Sequence, residues 1–191
     1  MENTEENKGS AAIRPLRFDI PVLGFAAWSG TGKTTLLVKL LPLLRLQGLR
    51  IGMIKQTHHD FEIDVPGKDS YELRKAGASQ MLLASEKRSA LITEYESPAA
   101  LPLSALVKQL DLANLDLVLV EGFRHLPFDK IELHRPSTGR EPVFPHDGSV
   151  IAVASDEKID TSGLPLLNIN SAEEIAGFIN RWRDYWRAER G

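Results

Sequence analysis

The sequence predicts an α/β domain: a mostly parallel sheet with helices on both faces. Three observations predict it. Short, nearly all-apolar runs at 22–28 and 115–121 read as strands buried on both sides. These runs alternate with amphipathic stretches of helical period, of which 34–47 is the clearest. A glycine-rich turn joins the first run to that stretch, so a buried strand passes directly into a helix.

In chain order, residues 1–17 carry Glu2, Glu5, Glu6 and Lys8 and read as a poorly ordered polar tail. Residues 18–191 read as a single domain. The helix at 34–47 repeats Leu36, Leu37, Leu40, Leu41 and Leu44 on one face, with Pro42 inside it and Gly48 as its stop. A second strand follows at 50–56, then a loop at 57–68. Asp69-Ser70-Tyr71-Glu72 has capping-box spacing and opens a short helix through Ala76. Two short strands, 80–85 and 90–94, precede a helix at 103–110. Strands at 115–121, 130–134 and 150–154 follow. Between the last two, 135–149 holds three prolines and two glycines and reads as a long irregular loop. A final helix spans 172–187.

The 191 residues carry a net charge of −3, with 42% hydrophobic and 26% charged side chains. That balance argues against a general nucleic-acid binder, which needs a basic face. The absence of cysteine rules out disulfides, thiolate metal ligands and a cysteine nucleophile. No run approaches the ~18 apolar residues of a membrane helix, and the first residues lack a secretory apolar core. A cytoplasmic location is the default expectation.

The chemistry concentrates at Ala27-Trp28-Ser29-Gly30-Thr31-Gly32-Lys33-Thr34-Thr35. It matches the phosphate-binding P-loop pattern G-x-x-x-x-G-K-[ST], with Ala27 in place of the first glycine. Ser29 to Thr35 should supply inward-pointing main-chain amides, an anion nest at a helix start. Lys33 should reach the β- and γ-phosphates and the Thr34 hydroxyl should ligate Mg²⁺. The bland alternative is a flexible glycine turn. The domain at 18–191 is therefore read as a single P-loop nucleotide-binding domain.

Such a site also needs an acid near the metal. Asp116 and Glu121 stand at opposite ends of one predicted strand, roughly 16 Å apart at about 3.3 Å per residue. Only Glu121 lies at the carboxyl end, where ligands bind in open parallel sheets. It is therefore the metal-assisting and catalytic candidate, and Asp116 reads as a strand-start residue. The second strand ends in Lys55-Gln56-Thr57-His58-His59-Asp60. Asp60 is a candidate to hold a magnesium-bound water and is counted with the catalytic residues, and Lys55 is a candidate to face a phosphate. Adjacent histidines point apart and no third one stands at ligand spacing, so polar or substrate contacts outweigh metal ligation at His58-His59. Asp69 and Lys68 read equally as a helix cap beside a solvated charge or as ligand contacts. Trp182, Tyr185 and Trp186 share a face of the last helix and read as packing residues. No arginine finger is evident around the P-loop, which suits slow turnover.

These blocks resemble the molybdopterin-guanine dinucleotide biosynthesis adapter family. The likeness rests on Phe25-Ala26-Ala27-Trp28 and the P-loop after it, on Ile54-Lys55-Gln56-Thr57-His58-His59-Asp60, on Pro66-Gly67-Lys68-Asp69-Ser70-Tyr71-Glu72-Leu73-Arg74-Lys75-Ala76-Gly77-Ala78, on Leu117-Val118-Leu119-Val120-Glu121-Gly122-Phe123-Arg124-His125 and on 150–156. Gln56 stands where the family commonly has histidine. The resemblance implies binding of GTP with Mg²⁺, slow hydrolysis, and an adapter role beside the guanylyltransferase that joins GMP to molybdopterin, with molybdenum enzymes as further possible partners. It also implies a homodimer joined through β-segments, for which 80–94 and 135–149 are the candidate surfaces. The Asn-Lys-x-Asp guanine motif is absent; Asp156, after a predicted strand at the ligand edge, is the candidate to accept from guanine N1–H and its amine, or else a turn acid.

Two other classes compete. A small-molecule kinase on the same scaffold would need an acceptor pocket, for which 57–75 is the candidate. A metal-insertion GTPase would display a histidine- or cysteine-rich segment, and five scattered histidines count against it.

Overall fold

A computed structural model describes residues 15–57, 61–96 and 101–190. The chain divides into two compact units: the described residues of Met1–Gln56 and Leu103–Gly191 form one, and those of Thr57–Pro102 form the other.

The first unit holds β1 (Val22–Ala27), α1 (Lys33–Leu46), β2 (Ile51–Lys55), α3 (Leu103–Val107), β5 (Leu117–Glu121), β6 (Lys130–His134), β7 (Val150–Ser155), β8 (Leu166–Asn168) and α4 (Ala172–Ala188). The second holds α2 (Asp69–Lys75), β3 (Gln80–Ala84) and β4 (Ser89–Thr93). The six strands of the first unit run in the order β2-β5-β1-β6-β7-β8, each pair parallel. Every strand therefore ends on one edge.

The apolar runs explain the layering. Successive side chains of a strand point to opposite faces, and in β5 both faces are buried. Leu117 and Leu119 join one core with Leu23 and Phe25 of β1, Leu40 and Leu44 of α1, and Ile175 and Ile179 of α4. Val118 and Val120 join a second core with Ile54, Leu103, Val107, Phe123 and Phe128. Helices α1 and α4 thus cover one face and α3 the other, as the sequence pattern predicts. The Ser171 side chain caps α4 by accepting the Glu174 amide at 3.2 Å.

Several boundaries differ from expectation. β5 starts at Leu117; just before it, the Asp116 amide donates to the Arg50 carbonyl at 2.8 Å, and its carboxylate accepts the Arg50 amide at 2.9 Å and pairs with Arg187 at 3.3 Å. The helix predicted through 110 stops at Val107 and continues into a 3-10 turn at Leu112–Asn114. β8 was not foreseen. The loop at 135–149 carries two 3-10 turns, Pro136–Thr138 and Phe144–His146. It is pinned by the buried Glu132, whose two oxygens accept the Val143 and Phe144 amides at 2.7 Å each, and by the Lys130–Asp147 pair at 2.9 Å. Burial pushes the Glu132 carboxyl above its ordinary range, against those two amide bonds.

In the second unit β3 and β4 form an antiparallel hairpin with Leu82 opposite Leu91 and Met81 opposite Ile92. Helix α2 begins one residue earlier than the capping box implies: Lys68 is the N-cap, no side chain caps it, and Asp69 sits in the first turn. The Ser70 hydroxyl instead donates to Asp64 at 3.0 Å. Arg74 pairs with Glu62 and Glu94, joining α2 to the segments on either side of it.

Candidate functional site

The centre of the carboxyl edge is the turn from β1 to α1. Gly30 and Gly32 have φ of 85° and 96°, a left-handed conformation that only glycine adopts without strain. Among the described residues the amides of Ser29, Gly30 and Gly32 meet no main-chain carbonyl. A Cβ built on Gly30 would meet nothing within 4 Å, so the space on that side of Gly30 is open. The Thr31 amide, between Gly30 and Gly32, donates to the Trp28 carbonyl at 3.3 Å. Unpaired amides at a helix start can take an anion. Thr31 behaves differently from its neighbours. It is buried, and its hydroxyl donates to the Trp28 carbonyl at 2.8 Å, so its side chain braces the turn. Thr34 and Thr35 are exposed on the first turn of α1.

Lys33 and Glu121 come together as the sequence anticipates. Parallel pairing sets Phe25 of β1 beside Glu121 of β5. Lys33 Nζ lies 3.1 Å and Lys55 Nζ 3.3 Å from the same Glu121 oxygen. Burial pushes the Glu121 carboxyl up, and the two ammoniums outweigh it, leaving the group below its ordinary range. Glu121 is thus a charged acid beside the open turn. Behind it, Gly122 has φ 102° and a Cβ there would lie 2.5 Å from Gln56 Cβ. Gln56 uses that closeness: its side-chain oxygen accepts the Phe123 amide at 2.9 Å, a bond that a histidine nitrogen in the same place can also accept.

Asp60, His58 and His59 fall outside the described residues. Among the described residues no cluster of three or more His, Cys, Asp or Glu could hold a metal. A P-loop-type turn is a different kind of site: there a nucleotide's own oxygens, a threonine hydroxyl and waters would complete the shell around Mg²⁺. The exposed Thr34 and the charged Glu121 fit that chemistry.

Asp156 stands just beyond β7 on the same edge, as expected. One of its oxygens takes the Arg135 guanidinium at 2.5 Å. Arg135, directly after β6, also donates to the Thr31 carbonyl at 2.9 Å and to Asn170 at 2.9 Å. The sequence shows no arginine finger around the P-loop; the structure places Arg135 beside the turn, bonded to Thr31, Asp156 and Asn170. In sequence Arg135 looks like the first residue of an irregular loop, and only the placement of β6 beside β1 brings it to the turn. A cleft of about 200 Å³ opens there, lined by Gly32, Thr35, Lys39, Arg135 and Asn170 among others. A second, more open depression of about 380 Å³ includes Ser155, Asp156, Asn168 and Asn170.

On the other flank of the turn, the Trp28 ring has the Arg124 guanidinium 4.3 Å and that of Arg140 5.5 Å from its centroid. Trp28 donates to the Glu141 carbonyl at 3.0 Å, so the long loop also touches the phosphate turn. The aromatic trio of α4 divides: Trp182 packs on the core and donates to Asp129 at 2.8 Å, whereas Tyr185 is exposed. Among the described residues no helix is long and apolar enough to cross a membrane.

Comparison with known proteins adds to this geometry. The family described as molybdopterin guanine dinucleotide synthesis protein B matches residues 22–156. The molybdopterin-guanine dinucleotide biosynthesis adapter protein of Escherichia coli (strain K12) is 52% identical over 164 residues, which cover 85% of this chain and 93% of that one. The adapter protein of the same description from Haemophilus influenzae is 42% identical over 171 residues, 90% and 94% of the two chains. A crystal structure of molybdopterin-guanine biosynthesis protein B superposes with a TM-score of 0.65 at 27% identity, over 84% of this chain and 99% of that one. The structure of Bacillus subtilis MobB, at 21% identity and a TM-score of 0.66, shows the same fold.

Proposed function

The chain belongs to the molybdopterin guanine dinucleotide synthesis protein B family, and from that premise we propose that it is a GTP-binding adapter with weak GTPase activity in molybdopterin guanine dinucleotide biosynthesis. The observation that carries the nucleotide reading is the open turn between β1 and α1, with unpaired amides and Lys33 at its rim. The amides from Ser29 to Thr35 would hold the β- and γ-phosphates. Lys33 would leave Glu121 for the phosphates, a move from one anion to a more highly charged one. Mg²⁺, when bound, supplies charge neutralisation at the phosphate oxygens. Thr34 would hold it directly, and Glu121, released from Lys33, directly or through water. Asp156 keeps one oxygen outside its Arg135 bond and would accept from guanine. Lys33 and Glu121 are the catalytic groups of this reading, with Asp60 the candidate to hold the attacking water.

The adapter role would be played beside the guanylyltransferase that joins GMP to molybdopterin, in the cytoplasm, with molybdenum enzymes as further partners. A homodimer fits the second unit. A lone two-stranded hairpin is marginal in water, and here Leu82 and Leu91, directly opposite each other, are 63% and 56% exposed. Phe61, Ile63 and Val65 of the same unit are exposed as well. Pairing with a second copy would cover such a surface.

The test is titration of Mg²⁺-GTP into the full chain and its Lys33→Ala variant. Loss of one charged phosphate contact should weaken binding about 100-fold, with the thermal midpoint little changed. Undiminished affinity in a folded Lys33→Ala protein overturns the nucleotide site.

A further inference from the structure

We infer that Arg135 is a positioning residue that couples Asp156 to the phosphate turn by setting the direction of the Gly32 amide. The inference deepens the nucleotide reading above and rests on it for its consequence, though its geometry stands by itself.

Each nitrogen of the Arg135 guanidinium is bonded to a different element. Its Nε donates to the Thr31 carbonyl at 2.9 Å, Nη1 to Asp156 at 2.5 Å and Nη2 to Asn170 at 2.9 Å. These partners follow β1, β7 and β8 respectively. The guanidinium is planar and its donors are fixed relative to one another, so displacing one partner displaces the geometry offered to the others. Asn170 is itself held, since its amide donates to Asn168 at 2.9 Å in the turn that opens α4.

The bond to Thr31 has a directional consequence. The Thr31 carbonyl and the Gly32 amide belong to one peptide unit. That unit is planar and trans, so its C=O and N–H point in opposite directions. Holding the carbonyl on the Arg135 side aims the Gly32 N–H away from it. Gly32 is also the residue least able to hold a direction by itself, with φ at 96° and no side chain. The guanidinium supplies the restraint from outside, through its Nε bond to the Thr31 carbonyl of the same peptide unit. Any ligand that recruits or reorients Asp156 therefore acts, through one rigid fork, on an amide of the phosphate turn. A base contact at Asp156 and a phosphate contact at Gly32 would share one part and bind cooperatively.

The experiment uses the full chain, labelled with ¹⁵N, and the variants Arg135→Gln, Arg135→Lys, Asp156→Asn and the Arg135→Gln/Asp156→Asn pair, each checked for folding by its thermal midpoint. Two quantities are read: the Gly32 amide resonance without nucleotide, and affinity for Mg²⁺-GTP. Arg135→Gln should move or broaden the Gly32 resonance and weaken GTP binding at least about tenfold, the loss of a charge-assisted restraint. Arg135→Lys keeps the charge without the fork and should recover only part of either. Asp156→Asn should disturb the same resonance, and add nothing further to it once Arg135 is Gln. Should Arg135→Gln not fold, the Lys and Asn variants carry the same comparison. An unmoved Gly32 resonance in the Arg135 variants, or an Asp156→Asn effect of equal size with and without Arg135, overturns the coupling. If Lys33→Ala leaves GTP affinity intact, the nucleotide reading fails instead, and the Gly32 resonance still judges the Arg135 linkage.

Discussion

Strand β5 and hairpin strand β3 each span five residues, and their surroundings differ completely. All five residues of β5 are buried, flanked by β1 and β2 and covered on both faces. Strand β3 has one neighbour, β4, and four of its five residues are exposed. The first unit therefore has an apolar core of its own. The second is held by a short ladder and by polar ties such as Arg74 with Glu62 and Glu94. Apolar side chains mean different things in the two places. In β5 they are the content of the fold, and in the hairpin they are a surface awaiting cover.

Paired truncations should expose that difference most strongly. Leu119→Ala removes a side chain with no exposure and should cost about 2–5 kcal/mol in urea unfolding. Leu82→Ala should stay within about 0.5 kcal/mol when unfolding is followed on the monomer. Equal costs would break the comparison. Next in size, Leu82→Lys combined with Leu91→Lys sets like charges opposite each other on the hairpin. Sedimentation should show self-association weakened by about 100-fold, while GTP affinity stays within about twofold. Retained self-association would move the dimer surface elsewhere, with 135–149 the next candidate. Within the buried unit, Gly122→Ala forces a Cβ to 2.5 Å from Gln56 at φ 102°. It should cost about 1–3 kcal/mol and loosen the Phe123 amide, seen as faster hydrogen exchange there.

The smallest effect is the pH dependence of Glu121. Its native carboxyl titrates below the unfolded range, because Lys33 and Lys55 outweigh burial. The unfolded chain therefore takes up the proton first as pH falls. The stabilisation is present in full above the unfolded carboxylate range and is lost as pH falls through the native value. Urea midpoints from about pH 6 down to about pH 3 should fall less steeply in Glu121→Gln than in the parent. Identical slopes would mean the ion pairs contribute nothing to folding.

Sequence legibility follows the same divide. Strands β1, β2, β5 and β7 and helices α1 and α4 could be read because two-sided burial writes apolar runs and a helical stripe, and β6 because Ile131 and Leu133 alternate with polar residues. The hairpin could be read because Gln80–Ala84 and Ser89–Thr93 are two short, mainly apolar runs separated by the polar Ser85-Glu86-Lys87-Arg88. Strand β8 could not: three residues after Pro165, at the sheet edge, write too short a pattern. The α2 cap was misplaced because Asp69 suits both the N-cap and the first turn, and Lys68 took the cap without a side-chain bond. At the site, Gly30, Gly32, Lys33 and Glu121 were legible because their spacing and strand position are local. Arg135 was not, since its bond to Thr31 spans 104 residues and depends on strand order alone. The buried Glu132 was hidden for a related reason: in the alternating Lys-Ile-Glu-Leu-His an acid reads as solvent-facing and gives no sign of the loop amides it accepts.

Trp28 has a practical corollary. The chain has three tryptophans, two of them on α4 and one in the turn between β1 and α1 with cationic groups near its ring. Indole emission responds to nearby charge, so the turn carries a built-in optical reporter. Replacing Trp182 and Trp186 with phenylalanine would leave a single emitter beside Ser29. Its colour and brightness would then follow filling of the loop in real time, without an attached dye.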